Sequence, residues 1–338
     1  FNRAEGHPLF TMALLTNLIE EDFLVHSAEG YWLPPEASVP VPTVLRQLIN
    51  QRVQRLGSDV ENLLLAAAVA GETWQLPIIE PLLELAEERL LAALEQALAA
   101  ELIVVENDKA EVYRFSHGLI RKVLNSKQLA RRRKKLQQQI AAQFEEQQET
   151  NIYAMAHHFY EGEVWAKAFH YCSAAGQQAA SSFANNRALG LYQQALEAMQ
   201  RDTGEIEARQ LLDAYERVGN AYRVLDQLQE AEITFSRMRD AAQSMDDQEA
   251  EVRALTHLTH IRISLYQMDV AEQAAQEALK ISEQIDDPRL LVRIHDSLVK
   301  LLIVRGHLDA LTAHFNEIIH RAQDLDDPAP LSAAFRQQ

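Results

Sequence analysis

The sequence predicts a mainly α-helical protein whose second half repeats. Of its 338 residues, only 11 are glycine and 10 are proline, and 47% are hydrophobic, which is typical of helical globular proteins without long flexible linkers. Apolar residues recur at helical spacing over most of the chain, and one convincing β-hairpin interrupts them. A period of constant length then runs through the second half. These observations predict a helical domain, a second small domain with one β-hairpin, and then an α-solenoid.

The first half is predicted to be a series of helices that leads into the hairpin. Residues 9–25 have an amphipathic pattern after the stop signal "GHP", and residues 31–42 are a proline-rich linker. Further helices are predicted near residues 43–56, 58–70, 75–85 and 87–100. The hairpin follows at residues 102–106 and 111–115, and this order is that of a winged helix. A long helix over residues 116–147 completes this half.

Paired aspartates mark a period of 40 residues in the second half. They stand at Asp246 and Asp247, Asp286 and Asp287, and Asp326 and Asp327. Three sets of apolar positions keep the same phase: Ala231, Ala271 and Leu311; Phe235, Ala275 and Phe315; Met238, Ala278 and Ile318. Three units in register predict a solenoid, in which each helical hairpin buries its apolar face only against its neighbours. A looser unit around Gly176 places the start of the solenoid near residue 150.

The chain is therefore expected to contain three regions. A helical domain covers residues 1–56, a winged helix with a connecting basic helix covers 57–147, and the repeats cover 148–338. The sequence begins with phenylalanine rather than methionine and stops within the last repeat. We therefore expect a C-terminally truncated fragment of a larger protein.

Charge and cysteine content restrict the class of protein. The net charge of −17 opposes general binding to nucleic acid or to an anionic membrane surface. A single cysteine, Cys172, excludes an internal disulfide and suits a reducing cytoplasm. No apolar run approaches the roughly 18 residues that a membrane helix needs. We expect a cytoplasmic protein without a membrane partner.

The repeats resemble a known helical module. The segment "GNAYRVLDQLQEAEITFSRM", residues 219–238, resembles a tetratricopeptide helix pair in its small residue, the aromatic residue three later, and the alanine and phenylalanine beyond. The period exceeds the usual length of about 34 residues. It is similar to the longer variant found in bacterial signalling ATPases. The resemblance implies a tetratricopeptide-like α-solenoid.

The first half resembles the same group of proteins, the STAND ATPases (signal-transduction ATPases with numerous domains). "EGHPLFTMALLTNL" resembles the Gly-x-Pro segment that follows their nucleotide-binding core, and "VPTVLRQLINQRVQRLGSDVENLLLAAAVAG" resembles the next stretch. "FSHGLIRKVL" is similar to the Met-His-Asp segment that ends their winged helix, and "LARRRKKLQQQIAAQFEE" to the basic helix before the repeats. The order of the segments is that of bacterial ATP-dependent transcriptional regulators of the maltose-activator type.

The resemblance implies two residues that contact ADP in the parent protein. By position, Pro8 would pack beside the adenine and His117 would contact the β-phosphate. The aspartate expected after the histidine is Gly118 here, so a role for that carboxylate is in doubt. No phosphate-binding loop of the form G-x-x-x-x-G-K-[ST] is present. We therefore expect no cofactor and no catalysis in this chain itself, and a nucleotide-binding domain of the same protein as its partner. Without the resemblance, His117 is a histidine that the fold satisfies at a strand–helix boundary.

Tetratricopeptide geometry predicts a set of residues on the inner face of the repeats. They are Asp213, Glu216, Asn220, Arg223, Arg253, Thr256, His260, Ile263, Arg293, Asp296, Lys300 and Ile303. Arg253, Arg293 and Lys300 can share one anionic group of a partner, such as a carboxylate. The alternative is that they pair with the acidic members of the set and bind nothing.

Two other features lead to weaker hypotheses. The predicted helix at residues 86–101 precedes the wing, but it carries four glutamates against one arginine, so it would repel DNA phosphates. The basic run at residues 131–135 either lies on solvated helix faces, docks on an acidic surface within the protein, or contacts nucleic acid. No arrangement of histidines, cysteines and carboxylates predicts a metal site or a catalytic site.

The sequence therefore predicts the regulatory and sensor part of a STAND-type ATPase. In it, the winged helix clamps a nucleotide domain, and the repeats receive a protein or small-molecule signal. A tetratricopeptide scaffold without a nucleotide switch is the first alternative. A DNA-binding winged-helix regulator is the second.

Overall fold

The computed structural model describes Met12 and residues 25–27, 30–32, 41–148, 150–204, 206–285 and 287–323. The chain divides into two compact units, Phe1–Val164 and Trp165–Gln338. The described residues form fifteen α-helices and two small antiparallel sheets. The predicted fold class, mainly α with a small sheet and helical repeats, is confirmed.

The first unit contains seven helices and five strands within its described part. In chain order these are β1 Val25–Ser27, β2 Gly30–Trp32, α1 Thr43–Arg55, α2 Ser58–Ala70, β3 Thr73–Gln75, α3 Leu76–Ile79, α4 Glu87–Ala99, β4 Ile103–Asn107, β5 Val112–Phe115, α5 Gly118–Lys127, α6 Ala130–Glu146 and α7 Ile152–Glu161. The predicted hairpin is confirmed as β4 and β5, which pair antiparallel with Ile103 opposite Phe115.

Strand content is larger than the sequence predicts. β1 and β2 pair antiparallel, with Val25 opposite Trp32, where the end of a helix and the start of a linker were expected. β3 adds to the free side of β5, so the small sheet has the order β3-β5-β4. Trp74 of β3 is 3% exposed and stacks on Tyr113 of β5, with ring centroids 5.1 Å apart. The two rings are far apart in the sequence. A local sequence pattern therefore does not predict the three-residue strand β3.

The long helix predicted over residues 116–147 is two helices. α5 ends at Lys127, and Gln128 and Leu129 both have extended backbones before α6 begins. The buried side chain of Gln128 donates a hydrogen bond to the Leu65 carbonyl of α2 at 2.9 Å. The break is therefore a tertiary effect, because the partner of Gln128 lies in another helix.

α2 is the centre of the first unit. Its sequence is apolar on nearly every face, and Leu63, Leu64 and Ala67 are fully buried. α4, α5 and α6 all pack against it. A helix that is apolar all round is stable only when other helices surround it, which is the position that α2 occupies.

The second unit is a row of helical hairpins. Its elements are α8 Trp165–Ser181, α9 Asn185–Arg201, α10 Gln210–Val224, α11 Leu228–Ser244, α12 Gln248–Ser264, α13 Met268–Ile285, α14 Pro288–Arg305 and α15 Leu311–Gln323. Each helix packs against the next along the chain, and α12 also packs against α14. Ala231, Phe235 and Met238, the predicted buried positions, are 0% exposed.

The aspartate pairs have a structural reason. Asp247 accepts a hydrogen bond from the Ala250 backbone N–H at 3.0 Å, and Asp287 accepts one from Arg289 at 2.8 Å. Each thereby caps the first helix of a unit, α12 and α14 respectively. Asp286, Asp326 and Asp327 lie outside the described residues. No described helix combines the length and the apolar character that a membrane span requires.

Candidate functional sites

His117 lies at the junction of β5 and α5, the strand–helix boundary that the sequence predicts. It is the N-cap residue of α5, with an extended backbone, and its carbonyl accepts a hydrogen bond from Ile120. Ser116 fixes the junction, because its hydroxyl donates to the Glu101 carbonyl at 2.6 Å and its N–H donates to the Leu102 carbonyl at 3.1 Å. The half-buried His117 is thus held against the end of α4.

His117 lines a cavity of about 760 Å³ within the first unit. One group of lining residues is apolar: Leu48, Ile49, Leu102, Val104 and Ile120. The other is polar: Gln51, Arg52, Arg55, Glu101, Ser116 and His117. An imidazole and two guanidinium groups beside an apolar wall fit a ligand that carries an anionic group on an apolar body. Pro8, the other residue implied to contact ADP, lies outside the described residues.

Three residues of the predicted inner face of the repeats lie together. Arg253 lies with Nη2 3.6 Å from Oδ1 of Asp213 and with Nε 3.6 Å from Oε2 of Glu216. The ring of His257 adds a fourth group, since its Nε2 is 3.0 Å from Oε1 of Glu216. Burial raises the pKa of Glu216, but the His257 hydrogen bond and the Arg253 charge outweigh it, and the pKa is lowered overall. Glu216 is therefore a paired carboxylate.

The remaining predicted residues have different surroundings. His260 Nε2 is 2.8 Å from the Ser297 hydroxyl, and burial, then the charge of Lys300, lowers the pKa of His260 to about 4. Lys300 pairs with Asp296 at 2.6 Å, Arg223 donates to Asn220 at 3.3 Å, and Arg293 is exposed. Ile263 is half-buried and Ile303 is exposed.

Thr256 is an exception to the predicted inner face. It is 3% exposed, and its hydroxyl donates to the Val252 carbonyl one turn earlier. The prediction that Thr256 contacts a partner is wrong, because α12 is turned so that this side chain enters the core. A residue alignment by period does not fix the rotation of a helix that packs against α10, α11, α13 and α14.

The structure adds two neighbouring recesses that the sequence prediction did not include. One, of about 250 Å³, lies between α8 and α10, and the other, of about 320 Å³, between α10 and α12. Both are lined by Gln210 and Asp213. The α8 side of the first contains His170, Ser173 and Gln177. The shifted spacing of the looser unit, 43 residues from Gly176 to Gly219, puts these three in phase with Asp213, Glu216 and Asn220.

The basic run is partly occupied by contacts inside the first unit. Arg132 donates to Asn62 at 3.2 Å, and Lys134 pairs with Glu163. Lys127, just before the run, pairs with Glu61 of α2. Within the run itself, Lys134 alone contacts an acidic group of the described part of the chain, while Arg131, Arg132 and Lys135 are exposed, so the solvated and docking hypotheses both remain predictions.

The described residues offer no group of three or more histidine, cysteine, aspartate or glutamate side chains that could hold a metal ion. Cys172 is buried, and burial raises the pKa of its thiol to about 12. A thiol in that environment is a poor nucleophile.

Comparison with known proteins gives structural neighbours only. No protein-family model matches the chain, and no curated protein matches it. Three of the solved structures to which it is similar are BtubC from P. vanneervenii, aspartyl phosphate phosphatase F from Bacillus subtilis, and a STAND protein with a tetratricopeptide repeat sensor from Pyrococcus horikoshii.

The three likenesses are distant. For BtubC the identity is 16% and the TM-score 0.46, over 62% of this chain and 82% of that one. For the phosphatase the identity is 15% and the TM-score 0.46, over 87% of this chain and 72% of that one. For the STAND protein they are 15% and 0.37, over 87% of this chain and 49% of that one, so the chain spans about half its length. Because these identities and TM-scores are low, the fold is assigned from the arrangement of this chain's own helices.

Proposed function

We propose that this chain is the regulatory and sensor region of a STAND-type signalling ATPase. The first unit binds against a nucleotide domain of the same protein and contacts the phosphates of bound ADP. The repeats receive a protein or small-molecule signal on their inner face. The observation that carries the proposal is the cavity at the start of α5, where His117 lies beside Arg52 and Arg55.

The donor set of this cavity suits a nucleotide phosphate. Guanidinium and imidazole N–H groups are strong donors to phosphate oxygens, while Leu48 and Val104 supply an apolar surface. Gly118, in place of the family's aspartate, leaves the recognition to His117 and its neighbours. The γ-phosphate that distinguishes ATP from ADP supplies the change of charge between nucleotide states that a switch requires.

The inner face of the repeats suits a polar signal. Glu216, Arg253 and His257 are half-buried and in contact with one another, whereas Arg293 is exposed. The Arg253 pairs, at 3.6 Å, are longer than an ordinary hydrogen bond, so a ligand carboxylate competes with them at little cost. The two recesses next to Asp213 give such a ligand room.

The test of the proposal is ADP retention in the intact protein. His117→Ala should release ADP at least about tenfold faster and raise the basal output, because a charge-assisted hydrogen bond contributes about 1.5–3 kcal/mol. Lys122→Ala is the control, since Lys122 is exposed on α5 and does not line the cavity. Unchanged retention and output in His117→Ala would reject the proposal. An intact protein without a nucleotide-binding core would instead favour the tetratricopeptide scaffold.

A further inference from the structure

The last turn of α1 carries two arginines that the fold treats differently. Arg52 donates a hydrogen bond to the Ala100 carbonyl at 2.5 Å, at the C-terminal cap of α4. Arg55 is exposed, and within the described part of the chain it has no hydrogen-bond or ion-pair partner. Both line the cavity that contains His117. The hydrogen bond to Ala100 explains the position of Arg52, whereas for Arg55 the described part of the structure shows only its place in the last turn of α1.

The backbone of residues 100–102 is hydrogen-bonded to both sides of this cavity, α1 and the segment before α5. Arg52 ties α1 to Ala100, and Ser116 ties the segment before His117 to the carbonyls of Glu101 and Leu102. Residues 100–102 thereby fix α1 and the start of α5 in one frame. The backbone segments that carry Arg55 and His117 are thereby positioned before a ligand arrives, which lowers the conformational cost of binding.

The geometry points to Arg55 as a second phosphate ligand in this cavity, which acts together with His117. This inference rests on the proposed function and goes beyond it, because the family resemblance implies no role for this arginine. Arg55 supplies a permanent charge and a forked pair of donors, whereas the imidazole of His117 supplies one donor. Arg52, held by Ala100, acts as a positioning residue.

Glu101 affects how strongly the cavity holds an anion. Glu101 is among the residues that line the cavity, and its negative charge opposes a phosphate there, so a single cation would leave the anion weakly held. Arg55 offsets this charge. The inference therefore makes two predictions of opposite sign, a loss of ADP affinity on removing Arg55 and a gain on neutralising Glu101.

A simpler role for Arg55 must be distinguished. A cation in the last turn of a helix is stabilised by the helix dipole, and both arginines occupy the last turn of α1. Lysine retains that interaction but lacks the planar fork that binds two phosphate oxygens. Arg55→Lys therefore separates the two roles.

The experiment measures the rate at which ADP dissociates from the intact protein, with the unfolding temperature of each variant as a second readout. Arg55→Ala should speed dissociation about tenfold, Arg55→Lys should do so to a smaller extent, and Glu101→Gln should slow it. The control is Arg46→Ala, since Arg46 is an exposed arginine of α1 outside the cavity. In the nucleotide-free protein, Arg55→Lys should keep the wild-type unfolding temperature because it keeps the helix-end cation, whereas Arg55→Ala should lower it only slightly.

The outcomes separate the inference from the proposed function. If His117→Ala speeds ADP loss but Arg55→Ala does not, Arg55 is only a helix-end cation and the inference is wrong. If Arg55→Ala and Arg46→Ala speed the loss equally, the effect is general charge and the inference is also wrong. If neither His117→Ala nor Arg55→Ala changes ADP release, the proposed function fails as well.

Discussion

Gly219 of α10 faces the ring of Phe235 on α11 so closely that a Cβ at Gly219 would lie 2.6 Å from Cζ of the ring. Gly176 and Tyr192 have the same relationship in the unit before, with 2.6 Å to the ring edge. Phe235 is fully buried, so its ring cannot move aside freely. The absence of a side chain therefore sets how closely the two helices of a hairpin approach.

Gly219→Ala is expected to destabilise the repeats by about 1–3 kcal/mol, the usual cost of forcing extra atoms into a packed core. Urea unfolding of the chain measures this. Gly190→Ala is the matched control, because Gly190 is an exposed residue within α9 with no atom within 4 Å of the added Cβ. There the alanine should stabilise by about 0.4–1 kcal/mol. Equal effects at both positions would contradict the packing role of Gly219.

The buried histidines predict how stability depends on pH. Burial lowers the pKa of His158 to about 3 and those of His260 and His295 to about 4, from the ordinary value of 6.5. Below pH 6.5 the unfolded chain binds protons that the folded chain does not, so stability falls as the pH falls from 6.5 towards 4. Each such histidine costs up to about 1.4 kcal/mol per pH unit.

Unfolding free energies measured between pH 7 and pH 4.5 test this prediction. His295→Gln should flatten the curve, since it removes one of the titrating groups and keeps a polar side chain opposite His314, whose Nδ1 lies 2.9 Å from that of His295. A wild-type stability that stays constant over this range would contradict it.

The inner face of the repeats predicts a loss of signalling without a loss of stability. Arg253→Ala combined with Arg293→Ala should abolish the response, while the unfolding free energy changes by only about 0–1 kcal/mol per ion pair removed. Arg237→Ala is the control, because Arg237 is an exposed arginine on α11. A double variant that signals normally, or one that unfolds, would show that these arginines serve only the fold.

Direct DNA binding by α4 is not expected. Glu87, Glu88 and Glu95 are exposed, and Arg89 is held by Asp59 at 2.7 Å. The isolated chain should therefore show no salt-sensitive affinity for duplex DNA through this helix. Tight binding that survives neutralising residues 131–135 would contradict this.

The repeats were predictable from the sequence because their contacts are local. Asp247 caps its own helix, and Phe235 packs on the adjacent helix, so a fixed period in sequence becomes a fixed period in space. The short strand β3 and the break at Gln128 were not predictable. Both depend on partners that are distant in sequence, namely Tyr113 for Trp74 and the Leu65 carbonyl for Gln128.

The candidate sites show the same limit. The family resemblance indicated His117, whose position depends on a local change from strand to helix. Arg55 and the cavity escaped prediction, because α1, β4 and α5 meet only in the folded chain. The recess between α8 and α10 could have been found from the spacing of 43 residues between Gly176 and Gly219. It was missed because that first unit does not follow the strict 40-residue period of the later units.

The measurement that tests the central claim most directly is hydrogen–deuterium exchange of the intact protein with and without ADP. If the cavity in the first unit contacts the nucleotide, ADP should slow amide exchange at the end of α1, in residues 48–56, and at the start of α5, in residues 117–122. Helices α2 and α4, which do not supply ligands, serve as internal references. Identical exchange at these two segments in ADP-bound and nucleotide-free protein would contradict the account.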